Sequence, residues 1–171
     1  PLGRTGSGDD STIYSWGGGI LELPDGMWGN MYGGSSRLHN APIGTQWRGS
    51  PEKPSEIRWA RWKPHRFCGI EAKAEGQFTV PRIERTKNEL RLNYTCGPGG
   101  WVKVELITST DPPLDQRSIL PGFSFDDCEP LRGDSLDKVV TWRGRSDLSG
   151  TCDALAVRIR MFQSKVFAYL I

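Results

Sequence analysis

Apolar and polar side chains alternate along most of the chain from about residue 67 onward. Leu90, Leu92 and Tyr94 alternate with Arg91 and Asn93, and the same two-residue period recurs at residues 102–106 and 155–161. This period is typical of strands that bury one face of a sheet. No long segment has the apolar stripe of a helix. The pattern predicts strands at residues 71–83, 90–94, 102–106, 124–128, 138–143, 155–161 and 166–171, enough for two packed sheets.

Two short breaks separate some of these predicted strands. Residues 96–100 have the sequence Cys-Gly-Pro-Gly-Gly, which predicts a tight turn and an antiparallel hairpin formed by the runs on either side. Gln163 and Ser164 predict a second short turn before the last strand.

The first part of the chain has a different composition. Residues 13–23, 27–32 and 56–62 predict three strands, and five of the seven tryptophans fall here. The connection at residues 33–54 is long for a compact β domain, which favours a functional loop or an insertion. We expect residues 1–10 to be a flexible lead that starts with a tag-cleavage scar. Residues 11–65 are expected to form a Trp-rich, blade-like β segment, and residues 66–171 a β-sandwich domain.

Composition and charge argue against several functions. The chain has 22 Lys+Arg against 20 Asp+Glu, mixed along its length, so it lacks the basic footprint of a nucleic-acid-binding protein. It has no apolar stretch long enough to cross a bilayer and no signal-peptide pattern at its start. We therefore expect neither a nucleic-acid nor a membrane partner.

The four cysteines form no close pair, so the sequence has neither a zinc-binding nor a redox motif. We favour buried free thiols. Disulfide bonds remain the alternative, and four cysteines allow three connectivities.

Several short motifs carry a resemblance to a known group of proteins. Residues 13–34 and 57–62 resemble the last blade of the five-bladed β-propeller in invertase-like or arabinanase-like glycoside hydrolases. The remainder resembles the β-sandwich that follows such propellers in uncharacterised bacterial proteins. Its markers are Pro121-Gly122-Phe123-Ser124, Asp127-Cys128-Glu129-Pro130-Leu131, Gly133-Asp134-Ser135 and Val140-Thr141-Trp142.

The resemblance implies an antiparallel β-sandwich of the jelly-roll or concanavalin-like type. It also implies a polysaccharide or oligosaccharide partner, with a propeller domain as a further candidate, and it favours an extracellular or periplasmic location. However, the propeller motifs that carry the nucleophile, the stabilising aspartate and the acid/base glutamate are absent. Cys128 and Glu129 have the reverse order of the usual Glu-Cys dipeptide and lie outside the blade-like part. The resemblance thus implies a glycoside hydrolase relative without its complete catalytic apparatus.

Carboxylates are the first candidates for chemistry, because a glycosidase needs two carboxyl groups about 5 Å apart for retention or about 6.5–9.5 Å apart for inversion. Glu22 and Asp25 flank a turn, and Asp127 and Glu129 lie in an acidic stretch, so these four are candidate catalytic residues. The alternative is a solvated loop with turn-forming aspartates. We expect no cofactor, with structural calcium as the open alternative. The calcium candidates are Asp126, Asp127, Asp134 and Asp137.

Aromatic residues give the second candidate site, because sugar rings stack on Trp and Tyr while their hydroxyls bind nearby polar groups. Trp47, in the long polar loop, is expected to be the most exposed. Trp28, Trp59 and Trp62 are expected in the core. The candidate glycan-binding residues are Trp16, Tyr32, Arg37, His39, Trp47 and Arg48.

Three functions remain open at this point. The first is a glycan-binding or accessory module of a glycoside hydrolase-like protein. The second is a small glycoside hydrolase that acts on a plant polysaccharide through a carboxylate pair. The third is a structural domain that supports a propeller. Fold analogy alone does not decide whether the chain is an enzyme.

Overall fold

The computed structural model describes residues 12–15, 19–35, 55–108 and 118–171. All the regular structure in these ranges is β-strand, arranged in two antiparallel sheets, which confirms the all-β class and is consistent with a β-sandwich. The jelly-roll or concanavalin-like type stays a prediction. The chain divides into two compact units, Pro1–Phe67 and Cys68–Ile171, near the predicted change at residue 65.

The N-terminal unit is built around one central strand, β3 (Trp28–Ser35). One edge of β3 pairs along its whole length with β4 (Ser55–Trp62). The other edge pairs with two short strands, β1 (Thr12–Ser15) and β2 (Leu21–Glu22). A turn joins β2 to β3 because the Leu23 carbonyl accepts the Gly26 N–H and the Met27 carbonyl accepts the Leu23 N–H. Gly26 has a φ of 75°, a conformation that glycine adopts without strain.

The C-terminal unit has one four-stranded antiparallel sheet in the order β5-β8-β6-β7. Its strands are β5 (Ile70–Glu84), β6 (Arg91–Thr108), β7 (Asp134–Val139) and β8 (Ala154–Leu170). One face of this sheet buries the alternating apolar residues of β6 and β8. Side chains from the segment between residues 118 and 153 cover that face, including Phe123, Leu131, Trp142 and Leu148. The second layer is therefore mostly irregular chain, with isolated bridges such as Cys128↔Trp142.

The predicted hairpin around residues 96–100 is wrong. Both flanking runs belong to the single strand β6, and both pair with β8, at Cys96↔Ser164 before the break and Trp101↔Phe162 after it. The glycine-rich residues bulge out of the strand instead of reversing it. Gly100 is needed there because a Cβ atom would lie 2.5 Å from the Gln163 carbonyl oxygen.

The predicted turn at Gln163 and Ser164 is also an irregularity inside one strand. Gln163 has a φ of 43°, and β8 continues on both sides of it. Residues 124–128, predicted as a strand, form a turn in which the Ser124 carbonyl accepts the Cys128 N–H at 3.0 Å. The predicted strand at residues 138–143 is displaced toward the N-terminus and corresponds to β7. At residues 96–100 and 163–164 the short-range sequence signals fit both a turn and a bulge, and pairing with distant strands decides between them.

Candidate functional site

One face of the N-terminal sheet carries large apolar side chains that are open to solvent. Residues directly opposite each other in an antiparallel pair share a face, so the pairs Met31↔Trp59 and Gly33↔Ile57 lie side by side. Trp59 is 49 % exposed and Ile57 is 68 % exposed. Glycine opposite Ile57 leaves no side chain to cover this part of the sheet. We call this surface the Trp59 face; it consists of Leu21, Met31, Ile57, Trp59 and Arg61.

An ion pair lies on the Trp59 face beside the indole ring. Arg61 follows Trp59 by two residues, so its side chain is on the same face, roughly 7 Å along the strand. Its Nη2 donates to Asp25 Oδ2, and both side chains are about half exposed. A backbone N–H donated by Met27, together with Arg61, lowers the pKa of the Asp25 carboxyl. The face therefore combines an aromatic surface with a fixed anionic group and several guanidinium donors.

The opposite face of the same sheet is more enclosed. Trp28 and Trp62 are paired across β3 and β4, and the Phe67 ring lies 5.5 Å from Trp28 and 4.8 Å from Trp62. His65 stacks edge-on against Trp28 at 4.4 Å. Tyr32 is on this face and is only 6 % exposed.

These positions correct two expectations. Tyr32, predicted to contact glycan, is buried in the sheet and has no open ring face to offer. Trp59, predicted to lie in the core, is half exposed. The remaining predicted glycan contacts lie outside the described residues: Trp16, Arg37, His39, Trp47 and Arg48.

The candidate catalytic carboxylates of the C-terminal unit are used to hold its loops. Asp127 accepts the Ser124 hydroxyl at 2.7 Å and pairs with Arg143 at 2.6 Å. The Ser124 hydrogen bond is the main cause of a lowered pKa at Asp127. Glu129 accepts the Thr141 hydroxyl and the Gly144 N–H. A general acid needs a raised pKa, so the lowered pKa of Asp127 does not suit that role.

The other two candidate carboxylates belong to the N-terminal unit. Glu22 is exposed in β2 and pairs across the sheet with Trp28. Asp25 carries the lowered pKa described above, which likewise does not suit a general acid.

The calcium candidates do not converge. Asp137 pairs with Arg91 at 2.7 Å, Asp134 is opposite Thr95 at the start of β7, and Asp126 is exposed in the turn next to Asp127. Within residues 12–15, 19–35, 55–108 and 118–171, no three His, Cys, Asp or Glu side chains are grouped as metal ligands.

The cysteines are all free, but only Cys128 is buried. Burial raises the pKa of its thiol to about 11. Cys96 is half buried, whereas Cys68 and Cys152 are exposed, which corrects the expectation of four buried thiols. No helix in the described part of the chain is long and apolar enough to cross a membrane.

The fold and the site together describe an all-β protein with an exposed aromatic face. Comparisons of the chain with protein-family profiles, with curated proteins and with solved structures each found no match.

Proposed function

We propose that this chain is a glycan-binding module and that the Trp59 face is its binding surface. The observation that carries the proposal is the half-exposed Trp59 ring beside the Arg61–Asp25 ion pair. A sugar ring has apolar C–H faces that pack on an indole and a rim of hydroxyls that need hydrogen-bond partners. The Trp59 face supplies both requirements on a strand scaffold, which holds the groups in fixed register.

The ion pair has capacity left to bind hydroxyls. A guanidinium has five N–H donors and a carboxylate has about four acceptor sites, and the contact between Arg61 and Asp25 uses few of them. Because both side chains are about half exposed, their remaining groups are accessible from solvent. Hydrogen bonds to charged groups are stronger than neutral ones, so this pair would fix the orientation of a stacked sugar.

The test is binding of the purified chain to a panel of insoluble and soluble polysaccharides, with released reducing sugar measured in the same tubes. Trp59→Ala should reduce affinity at least tenfold, equivalent to about 1.4 kcal/mol, while the melting temperature stays close to the parent value. Trp59→Tyr should retain part of the binding because a ring remains.

Tyr169→Ala is the matched control, since Tyr169 is an exposed aromatic of the C-terminal unit and should leave binding unchanged. Equal affinity of Trp59→Ala and the parent chain would refute the proposal. Reducing sugar that persists through repurification would instead favour the glycoside hydrolase alternative, for which the lowered pKa values of Asp25 and Asp127 give no support.

A second candidate function is favoured by the several exposed apolar side chains on the same face. Leu21, Met31 and Ile57 are exposed next to Trp59, and contiguous apolar side chains also form protein–protein interfaces. On this alternative the face packs against another protein domain, such as a propeller. Ile57→Thr discriminates between the two: it should have little effect on glycan affinity if Trp59 stacks on sugar, but should weaken association with a domain.

A further inference from the structure

A groove crosses the C-terminal sheet where three neighbouring strands lose their regular pairing at the same place. Between Ala72 and Glu75, two residues of β5 stand opposite the single Gln163 of β8. On the other side of Gln163, β6 makes its glycine-rich bulge between Cys96 and Trp101. These two irregularities, on either side of Gln163, border an open groove of about 500 Å³. Grooves of this volume are typical of small-molecule sites, and bulges often border functional sites.

The groove has charged side chains of both signs, with an excess of positive charge. Lys73 comes from β5 and Lys165 from β8, and Glu71 is the acidic lining residue. Lys165 Nζ lies 4.0 Å from Glu71 Oε2, which is a long distance for an ion pair. Lys73 has no ion pair within the described part of the chain. Cys96 also lines the groove, and its thiol stays neutral because burial raises its pKa. Two ammonium groups against one carboxylate leave a single positive charge.

Uncharged polar groups complete the lining. Thr95 and Gln163 also line the groove, and their hydroxyl and amide are kinds of group that bind alcohols. Pro98 and Ala72 contribute apolar surface. A single net positive charge complements a monoanion better than a phosphate, which carries close to two negative charges at neutral pH.

We infer that this groove binds the carboxylate of a small polyhydroxylated acid, such as a uronic acid. Lys73 and Lys165 hold the carboxylate, while Thr95 and Gln163 bind hydroxyls. This inference uses the groove alone and does not depend on the Trp59 face, which belongs to the other unit.

Isothermal titration calorimetry with galacturonic acid, its trimer and glucose tests the inference. Galacturonate should bind and glucose should not. Lys73→Met and Lys165→Met should each weaken galacturonate binding at least fivefold, and the double variant at least twentyfold. Lys138→Met, an exposed lysine of β7, is the matched control and should match the parent. Tighter binding of the trimer than of the monomer identifies a polysaccharide residue as the ligand, and equal binding identifies the free acid.

Three results would overturn the inference: no binding of galacturonate by the parent chain, equal loss in Lys138→Met, or displacement of galacturonate by an equal concentration of inorganic phosphate. Trp59→Ala separates the two proposals, because it should leave galacturonate binding unchanged even if it abolishes binding of neutral glycan.

Discussion

Arg158 donates to the carboxylate of Glu105 directly across β8 and β6, with 2.7 Å between Nη1 and Oε1. Glu105 is almost completely buried, and its second carboxylate oxygen lies 3.4 Å from the Phe125 N–H. The Arg158 side chain is only partly exposed. The carboxylate of Glu105 therefore depends on Arg158 for its neutralising charge.

Removing Arg158 should destabilise the C-terminal unit. Arg158→Met leaves a buried carboxylate without a countercharge, and we expect a loss of about 3 kcal/mol in the free energy of unfolding. Replacing both partners, as in the double variant R158M/E105L, should recover most of this loss because no charge remains buried. Urea denaturation monitored by tryptophan fluorescence measures both changes. A double variant less stable than Arg158→Met would contradict this account.

The close approach of β6 to β8 gives a second prediction. In Gly100→Ala the new Cβ would lie 2.5 Å from the Gln163 carbonyl oxygen and 2.9 Å from that of Phe162, so the backbone must shift. We expect a loss of about 1–3 kcal/mol in unfolding free energy, as for overpacking in a core. Gly150→Ala is the matched control, since no atom lies within 4 Å of its Cβ position, and it should be neutral or slightly stabilising. Equal urea midpoints for the two variants would contradict this prediction, because the backbone of the bulge would then shift without a loss of stability.

Asp127 should contribute to the acid sensitivity of the fold. Its pKa is lowered below 3.8 in the folded state, chiefly by the Ser124 hydroxyl, so the unfolded chain binds the proton more tightly. The stabilisation is present above the unfolded pKa and is lost as the pH falls through the folded pKa. The urea midpoint of Asp127→Asn should therefore fall less than that of the parent between about pH 6 and about pH 3. Asp126→Asn, at the exposed neighbouring position, should keep the parental pH dependence. If the urea midpoint of Asp127→Asn falls with pH as steeply as that of the parent, the assignment is refuted.

The four thiols should differ in reactivity. Cys68 and Cys152 are exposed, Cys96 is half buried with a raised pKa, and the buried Cys128 has a pKa of about 11. The thiolate is the reactive form, so an aromatic disulfide reagent near neutral pH should label two thiols rapidly and a third slowly. Cys128 should react only after denaturation. Cys128→Ser should remove one thiol from the denatured total without changing the fast phase of the native protein.

The sequence predicted the strands of the C-terminal unit better than their connections. Alternation at residues 90–94 and 102–106 correctly indicated two half-buried runs, because the period of two depends only on which face is inward. The Gly-Pro-Gly-Gly sequence between them fits either a hairpin turn or a bulge. Only the pairing of both runs with β8, which is distant in sequence, decides that they form one strand.

The candidate site was harder to predict for a related reason. Strand β4 has apolar residues on both faces, with Ile57 and Trp59 on one and Ala60 and Trp62 on the other. The two-residue period alone cannot show which face of β4 is covered by other residues. Trp59 stands opposite Met31 of β3, and the next residues of β3 on this face are glycines that stand opposite Ile57 and Arg61. Two glycines facing two large residues on one side of a predicted sheet were the available signal.

The position of β8 limits when the sheet of the C-terminal unit can form during synthesis. This strand follows β5, β6 and β7 along the chain, yet it lies between β5 and β6 and supplies the partner edge for both. On the ribosome, β5 and β6 therefore emerge with these edges unpaired. The edges can pair only after residues 154–170 have been synthesised. Their sheet contacts join residues that are far apart in sequence, which slows folding. Until β8 is released, the nascent C-terminal unit exposes strand edges of the kind that chaperones protect from aggregation.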